Sequence, residues 1–245
     1  MSMKRNVSII AMAVASATAM SHVQAQENEV RTLSDWNYEA IYQDGGLTAE
    51  NLMDVEVFGV EGEEIGSVEN VLITEENQIA AIIAQVGGFW DMGDTHVLVP
   101  WEKVKLIEGG VAIPVTEENV EEYGLFSSEF ITKRDLNQAQ QVDDDLDTGP
   151  RVWKLSELLD DYVSMGDEGV GYGYVDNVLF SRNGEVQAVV VESDMAYGGG
   201  AYAYPFYGYG YGWEPGYTTY SLPYGEEEIG ELDEFDYEEY DGLWD

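Results

Sequence analysis

Apolar residues in this chain fall into short β-branched runs, and helical periodicity is confined to brief flanking pieces. Val68-Glu69-Asn70-Val71-Leu72-Ile73 and the run 79–84 are separated by a polar turn, Glu75-Glu76-Asn77, which predicts a β-hairpin. The runs 175–180 and 186–191, separated by Arg182-Asn183-Gly184, predict a second one. An earlier turn at Glu61-Gly62-Glu63 and further runs at 96–100, 105–108 and 111–115 bring the first unit to five or six short strands. Short strands with Gly-rich turns predict a small closed or partly closed barrel. Residues 48–53 and 156–160 read as helical leads into the two units, and 116–123 as a helix with a Thr cap and acids in its first turn.

The two hairpins are copies. Gly66-Ser67-Val68-Glu69-Asn70-Val71-Leu72-Ile73 recurs without gaps as Gly173-Tyr174-Val175-Asp176-Asn177-Val178-Leu179-Phe180, at an offset of 107 residues. Across 66–85 and 173–192, 6 of 20 positions are identical and the turn falls in the same place, so two units of one kind are expected. Gly66 and Gly173 are expected to hold equivalent places where a neighbouring backbone comes close or a strand bends.

At these residues the chain resembles the PRC-barrel family, the fold of the photosynthetic reaction-centre H subunit and of a ribosome-maturation factor. Leu47-Thr48-Ala49-Glu50-Asn51-Leu52 is similar to the family's opening segment and Glu64-Ile65-Gly66-Ser67-Val68-Glu69-Asn70-Val71-Leu72 to its central strand. Gly87-Gly88-Phe89-Trp90 with His96-Val97-Leu98-Val99-Pro100-Trp101 is similar to its closing signature. The second unit departs after Glu192, where a long Tyr- and Gly-rich tract from 197 to 224 follows. The resemblance implies a mainly β fold of two small PRC-type barrels with short flanking helices, acting as interaction or assembly modules, with no catalytic residues to carry over.

The first residues read as an export leader: Lys4 and Arg5, an apolar run of 13 residues from 7 to 19, then Val23-Gln24-Ala25 before a start near Gln26. That run is short of the roughly 20 residues a spanning helix needs, so no stable membrane insertion is expected after cleavage; an uncleaved anchor is the alternative. There is no cysteine, which excludes disulfides and thiolate chemistry. Losing Lys4 and Arg5 takes the 10 basic residues to 8, against 49 acidic ones, and the formal charge from −39 to −41. Self-repulsion on that scale relaxes as the Debye length shrinks from about 10 Å at 0.1 M salt to about 3 Å at 1 M. A salt-rich compartment is therefore expected, and nucleic acid is excluded as a partner for want of basic clusters.

Candidate chemistry is sparse. After the leader, His96 is the one histidine, and it sits at a strand start within the closing signature, where a structural role is expected. Asp143-Asp144-Asp145-Leu146-Asp147 places acids at positions 1, 3 and 5 of a calcium loop, but Thr148 and Lys154 stand where Gly and Glu are needed. A flexible acidic linker ending at Pro150 is expected instead. The 49 acids guarantee close carboxylate pairs, so their abundance says nothing about glycoside hydrolysis, and a solvated acidic surface is expected.

The tract 197–224 holds 9 of the 17 tyrosines, and Tyr207-Gly208-Tyr209-Gly210-Tyr211-Gly212-Trp213 alternates as one face of a strand would. Tyr202, Tyr204, Tyr207, Tyr209, Tyr211 and Trp213 are the candidate interaction surface. Packing of the same rings onto the second unit is the other reading, and both are open at this point. Residues 226–245 carry 11 acids and no base, a solvated acidic tail whose apolar spacing hints at part folding back.

The expected organisation is a leader at 1–25, an extension at 26–46, a first barrel at 47–123, a helical segment and acidic linker at 124–150, a second barrel-like unit at 151–225 and an acidic tail at 226–245. No catalytic residue, cofactor or metal site is assigned. The function expected is a non-catalytic periplasmic or envelope scaffold with an unidentified protein partner; a binder of cations or polysaccharide is the alternative. Oligomeric state is left open.

Overall fold

The computed structural model describes residues 30–87, 95–120, 128–131, 133–166, 168–230, 232–240 and 242–243. The leader, the Gly88-Phe89-Trp90 part of the closing signature and the helix beyond Val120 lie outside the described residues. The chain runs α1 (Glu39–Asp44), β1 (Leu47–Thr48), α2 (Ala49–Leu52), β2 (Glu56–Phe58), β3 (Glu64–Thr74), β4 (Ile79–Val86), β5 (Thr95–Pro100), β6 (Lys105–Ile107), β7 (Gly110–Ala112) and α3 (Glu117–Val120). It continues through β8 (Ser128–Ile131), β9 (Gln140–Thr148), β10 (Val152–Lys154), β11 (Tyr162–Met165), β12 (Val170–Phe180), β13 (Val186–Ser193), β14 (Ala201–Pro205), β15 (Thr219–Leu222) and α4 (Glu226–Ile229). The fold is mainly β. The expected helical leads are single turns: α2 is capped by the Thr48 hydroxyl, which accepts from Asn51 N–H at 3.0 Å, and residues 155–157 form a 3-10 turn.

The repeat seen in the sequence is a repeat of register. β3 pairs with β4 so that Gly66 faces Val86 and Leu72 faces Ala81; β12 pairs with β13 so that Gly173 faces Ser193 and Leu179 faces Ala188. Both hairpins shift register at the same place, between Val68 and Asn70 and between Val175 and Asn177. At each bulge the asparagine Oδ1 accepts the N–H of the next residue, Val71 or Val178, at 3.0 Å. A Cβ on Gly66 would overlap the Gln85 carbonyl oxygen, and one on Gly173 that of Glu192, which is why both positions are glycine.

One sheet has the order β14-β13-β12-β11-β15 and the other contains β5-β4-β3-β2-β7, the same five strands in the same order. In neither sheet do the end strands pair with each other among the described residues, so the pairing is that of two open sheets. The halves also exchange their opening segments. β1 of the first half pairs with β12 of the second, Leu47 facing Phe180, and β10 pairs back onto β3, Trp153 facing Ile73. Asn177 Oδ1 accepts Glu50 N–H at 3.3 Å, while Asn70 Oδ1 accepts Ser156 N–H at 3.4 Å and its Nδ2 donates to Ser156 Oγ at 2.8 Å. The hairpin turns meet reciprocally, Ile79 N–H donating to Gly184 O at 2.8 Å and Val186 N–H to Asn77 O at 2.9 Å. Leu47, Leu52, Leu155 and Leu158 are all fully buried. At about 2 kcal/mol per buried leucine, packing anchors the exchanged segments more firmly than their few ladder bonds do. A single core holds Val57, Val71 and Val97 together with Val163, Val178 and Val191.

The flexible linker is corrected here, and the tail folds back as its apolar spacing hinted, both for one reason. The outer side of each hairpin carries equivalent apolar residues, Leu72, Ala81 and Ile83 in the first and Leu179, Ala188 and Val190 in the second, and these need a cover. In the first half the supposed acidic linker supplies it. Residues 140–148 are strand β9, antiparallel to β5 and parallel to β8, with Val142 and Leu146 turned inward onto Leu72 and Leu98. In the second half α1 and the supposed solvated tail supply it: Tyr38, Ile41, Phe235 and Tyr240 pack on Leu179 and Val190. The tail is tied down by Phe235 N–H to Ala201 O at 2.7 Å and Leu243 N–H to Gly46 O at 2.8 Å.

Candidate interaction surface

β14 explains much of the tyrosine tract. Pro205 faces Ala188 as Pro100 faces Ala81, so Tyr204-Pro205-Phe206 occupies the place of Val99-Pro100-Trp101. The second unit therefore keeps the closing strand within the tract that departs after Glu192, and the added segment is shorter, between β14 and β15. That segment lies on the core. Trp213 is 1% exposed and meets Trp153 edge-on at 5.5 Å, while Tyr209 packs on Trp153 at 4.7 Å.

Buried hydroxyls are matched to one another. Tyr172 and Tyr204 share a hydrogen bond of 2.6 Å and Tyr207 and Tyr224 one of 2.7 Å; the Tyr220 hydroxyl oxygen accepts Tyr207 N–H at 2.8 Å. Burial pushes the Tyr204, Tyr220 and Tyr224 hydroxyls well above the ordinary tyrosine range, so they stay neutral. Asp161, just before β11, is a buried carboxyl. Burial pushes its carboxyl up from 3.8 to about 6; the Trp213 indole N–H pulls it part of the way back and the Glu157 charge adds to the rise.

Of the six candidate residues, Tyr204, Tyr207 and Trp213 are buried core and cannot face a partner. Tyr202 is half-buried against the core. Tyr209 and Tyr211 are exposed, Tyr211 against the Tyr207 ring at 5.1 Å. The segment is wound into turns, not extended, so its alternation does not sort the rings onto one face. Three exposed rings lie outside that set: Tyr162, Tyr174 and Tyr217. Tyr162 on β11 stands directly opposite Tyr174 on β12, the rings edge-to-face at 5.4 Å on the outer side of the sheet. A Cβ on Gly171 would overlap the Tyr162 hydroxyl, so that glycine lets the ring lie along the strand. The period-2 pattern Tyr172-in, Tyr174-out was the available signal.

Other polar groups are spent on structure. His96 Nε2 lies 2.6 Å from Glu69 Oε2, linking β5 to β3. Lys133 pairs with Glu75 and Glu76, and Arg151 reaches Glu75 at 3.0 Å. No group of three or more His, Asp or Glu able to hold a metal occurs among the described residues. A groove of about 540 Å³ runs between Trp36, Asn77, Gln187 and Phe206, and another of about 680 Å³ beside Lys103, Pro114 and Arg134; neither is lined by a histidine. No helix among the described residues is long and apolar enough to cross a membrane.

The sequence model of the PRC-barrel domain matches residues 44–120, from the end of α1 to the end of α3. The match takes in β2, β3, β4, β5 and β7 and stops before the second half, whose strands repeat that order without being matched themselves. No curated protein matches the chain significantly.

Proposed function

We propose that this protein is an exported, non-catalytic scaffold or assembly factor, built from two PRC-type units and adapted to high salt. A PRC-barrel domain supports an interaction module and not an enzyme. The observation that carries the reading is the solvent-facing Tyr162–Tyr174 pair on a rigid sheet: exposed tyrosines are the residues that protein interfaces favour. The leader-like start supports export, the 107-residue repeat supports the second unit, and the −39 formal charge supports salt adaptation. The test is recovery of partners by the tagged chain from envelope extract at high salt, with mass spectrometry of its N-terminus. A stoichiometric partner and a start near Gln26 are expected. No partner, together with a measurable hydrolytic activity of the purified chain, overturns the proposal.

A further inference from the structure

The two halves give an internal control that isolated surfaces lack. Across the first half one row of residues runs Gly110, Glu56, Ser67, Gln85, His96, each facing the next on the neighbouring strand. The equivalent row of the second half runs Thr219, Tyr162, Tyr174, Glu192, Ala201. The strands and registers are shared, so backbone geometry does not explain the difference. One row holds a glycine and polar residues and no aromatic; the other has an exposed aromatic pair with a carboxylate at its side. Tyr162, Tyr174 and Glu192 are all exposed. Core packing needs neither ring, because the sheet buries Val163, Tyr172 and Val175 on its opposite side.

Charge narrows what would cover this row. β11, β12, β13, β14 and β15 contain no lysine or arginine, while Glu192 lies in the row and Asp160 and Asp176 are exposed together on one side of it, where Asp160 N–H donates to Val175 O at 2.9 Å. Asp176 also accepts the Tyr237 hydroxyl at 2.7 Å, which fixes its carboxylate. Tyrosine faces attract cations through the ring quadrupole, worth about 0.5–1 kcal/mol at exposed sites and about 2 when water is excluded. Aromatic faces beside carboxylates, on strands that carry no lysine or arginine, are complementary to a guanidinium or ammonium group.

We infer that the Tyr162–Tyr174–Glu192 row is a docking site for an arginine- or lysine-bearing segment of a protein partner, the cationic head lying against the rings and paired with Glu192. This rests on the interaction reading above and adds the chemistry of the partner. The first half's row, with Glu56 and Ser67 in place of the tyrosines, does not bind in this way. Attraction to the acidic surface as a whole raises the encounter rate but discriminates poorly between sites; the aromatic pair is what localises the partner.

The probe is a synthetic peptide of alternating arginine and glycine, with a neutral citrulline analogue as control, titrated calorimetrically into the full chain at 0.15 M and 0.5 M sodium chloride. The expected result is binding of the arginine peptide and none of the analogue. Tyr162→Ser with Tyr174→Ser should weaken binding at least tenfold, and Glu192→Gln about threefold. Glu56→Gln, one charge removed from the equivalent row, should leave affinity within twofold. Because all four positions are exposed, thermal melts of the variants should overlay the parent. Equal loss from Glu56→Gln and from the tyrosine pair would mean diffuse charge and overturn the site, as would equal binding of the citrulline peptide or no binding at 0.15 M salt. If the tyrosine variant still recovers a partner from extract as well as the parent, the docking site fails while the scaffold reading stands.

Discussion

Asp161→Asn should stabilise this protein at neutral pH and flatten its pH dependence. Asp161 is 5% exposed, at the start of β11, and burial raises its carboxyl from 3.8 to about 6. An acid whose pKa is higher folded than unfolded binds more protons in the folded state. Its contribution to stability is therefore greatest below pH 3.8, falls as pH rises toward about 6 and stays at its low value above that. A rise from 3.8 to about 6, at 1.36 kcal/mol per pH unit, gives a ceiling of about 3 kcal/mol for the penalty at pH 7.5. The Asn amide carries no charge to desolvate but brings an NH₂ that must find its own partner, so a net gain of about 2 kcal/mol is the working figure. For a chain of this size that is a rise of roughly 4–8 °C in Tm. The assay is a pair of melts, parent and variant, from pH 4 to 8 at fixed salt, read as a difference so that the other carboxylates cancel. The curves should meet near pH 4 and separate through pH 6. A constant gap across the range, or a parent that gains on the variant as pH rises, would refute a buried, proton-holding Asp161.

Three further outcomes follow from the packing. Gly173→Val drives a side chain into the Glu192 carbonyl and should cost at least about 2 kcal/mol; because the halves exchange β1 and β10, fluorescence and circular dichroism should report one shared transition, and an intact first half surviving the second would contradict that coupling. Phe235→Ala should cost about 3 kcal/mol despite its place in the acidic tail, since the ring is 4% exposed on Leu179 and Val190; a change under 0.5 kcal/mol by urea titration would show that the tail does not cover the sheet. Thermal midpoints should climb between 0.05 and 2 M sodium chloride as the −39 charge is screened, and a flat or falling series would remove the salt-adapted reading.

The hairpins were legible because their signal is local: β-branched runs, a turn between them and a second copy 107 residues on. Which sheet a strand joins is not local. Val152-Trp153-Lys154 reads as part of the second unit, yet it pairs with β3 of the first, and only the three-dimensional meeting of the two turns decides that. β9 was hidden by composition. Its Val142 and Leu146 keep the inward positions of a strand, but Asp143, Asp144, Asp145 and Asp147 around them look like a linker until the apolar patch at Leu72 and Leu98 is known to need covering. In the tyrosine tract the difficulty was the reverse. Tyrosine suits both a core with matched hydroxyls and a wet surface, so Tyr207 and Tyr209, two residues apart, could be sorted only by seeing Tyr207 bonded to Tyr224 and Tyr209 laid over Trp153 from outside.

The exchange of β1 and β10 has a bearing on how such a surface can arise. Two separate copies clasped in this way would form a symmetric pair, and every substitution would appear on both sides at once. An aromatic platform would then come as twins, doubling the sticky area exposed to solvent. Joining the copies in one polypeptide replaces a concentration-dependent encounter by an intramolecular one, at an effective concentration on the order of millimolar. It also frees each side to carry its own residues: Glu56 and Ser67 stand in one row where Tyr162 and Tyr174 stand in the other.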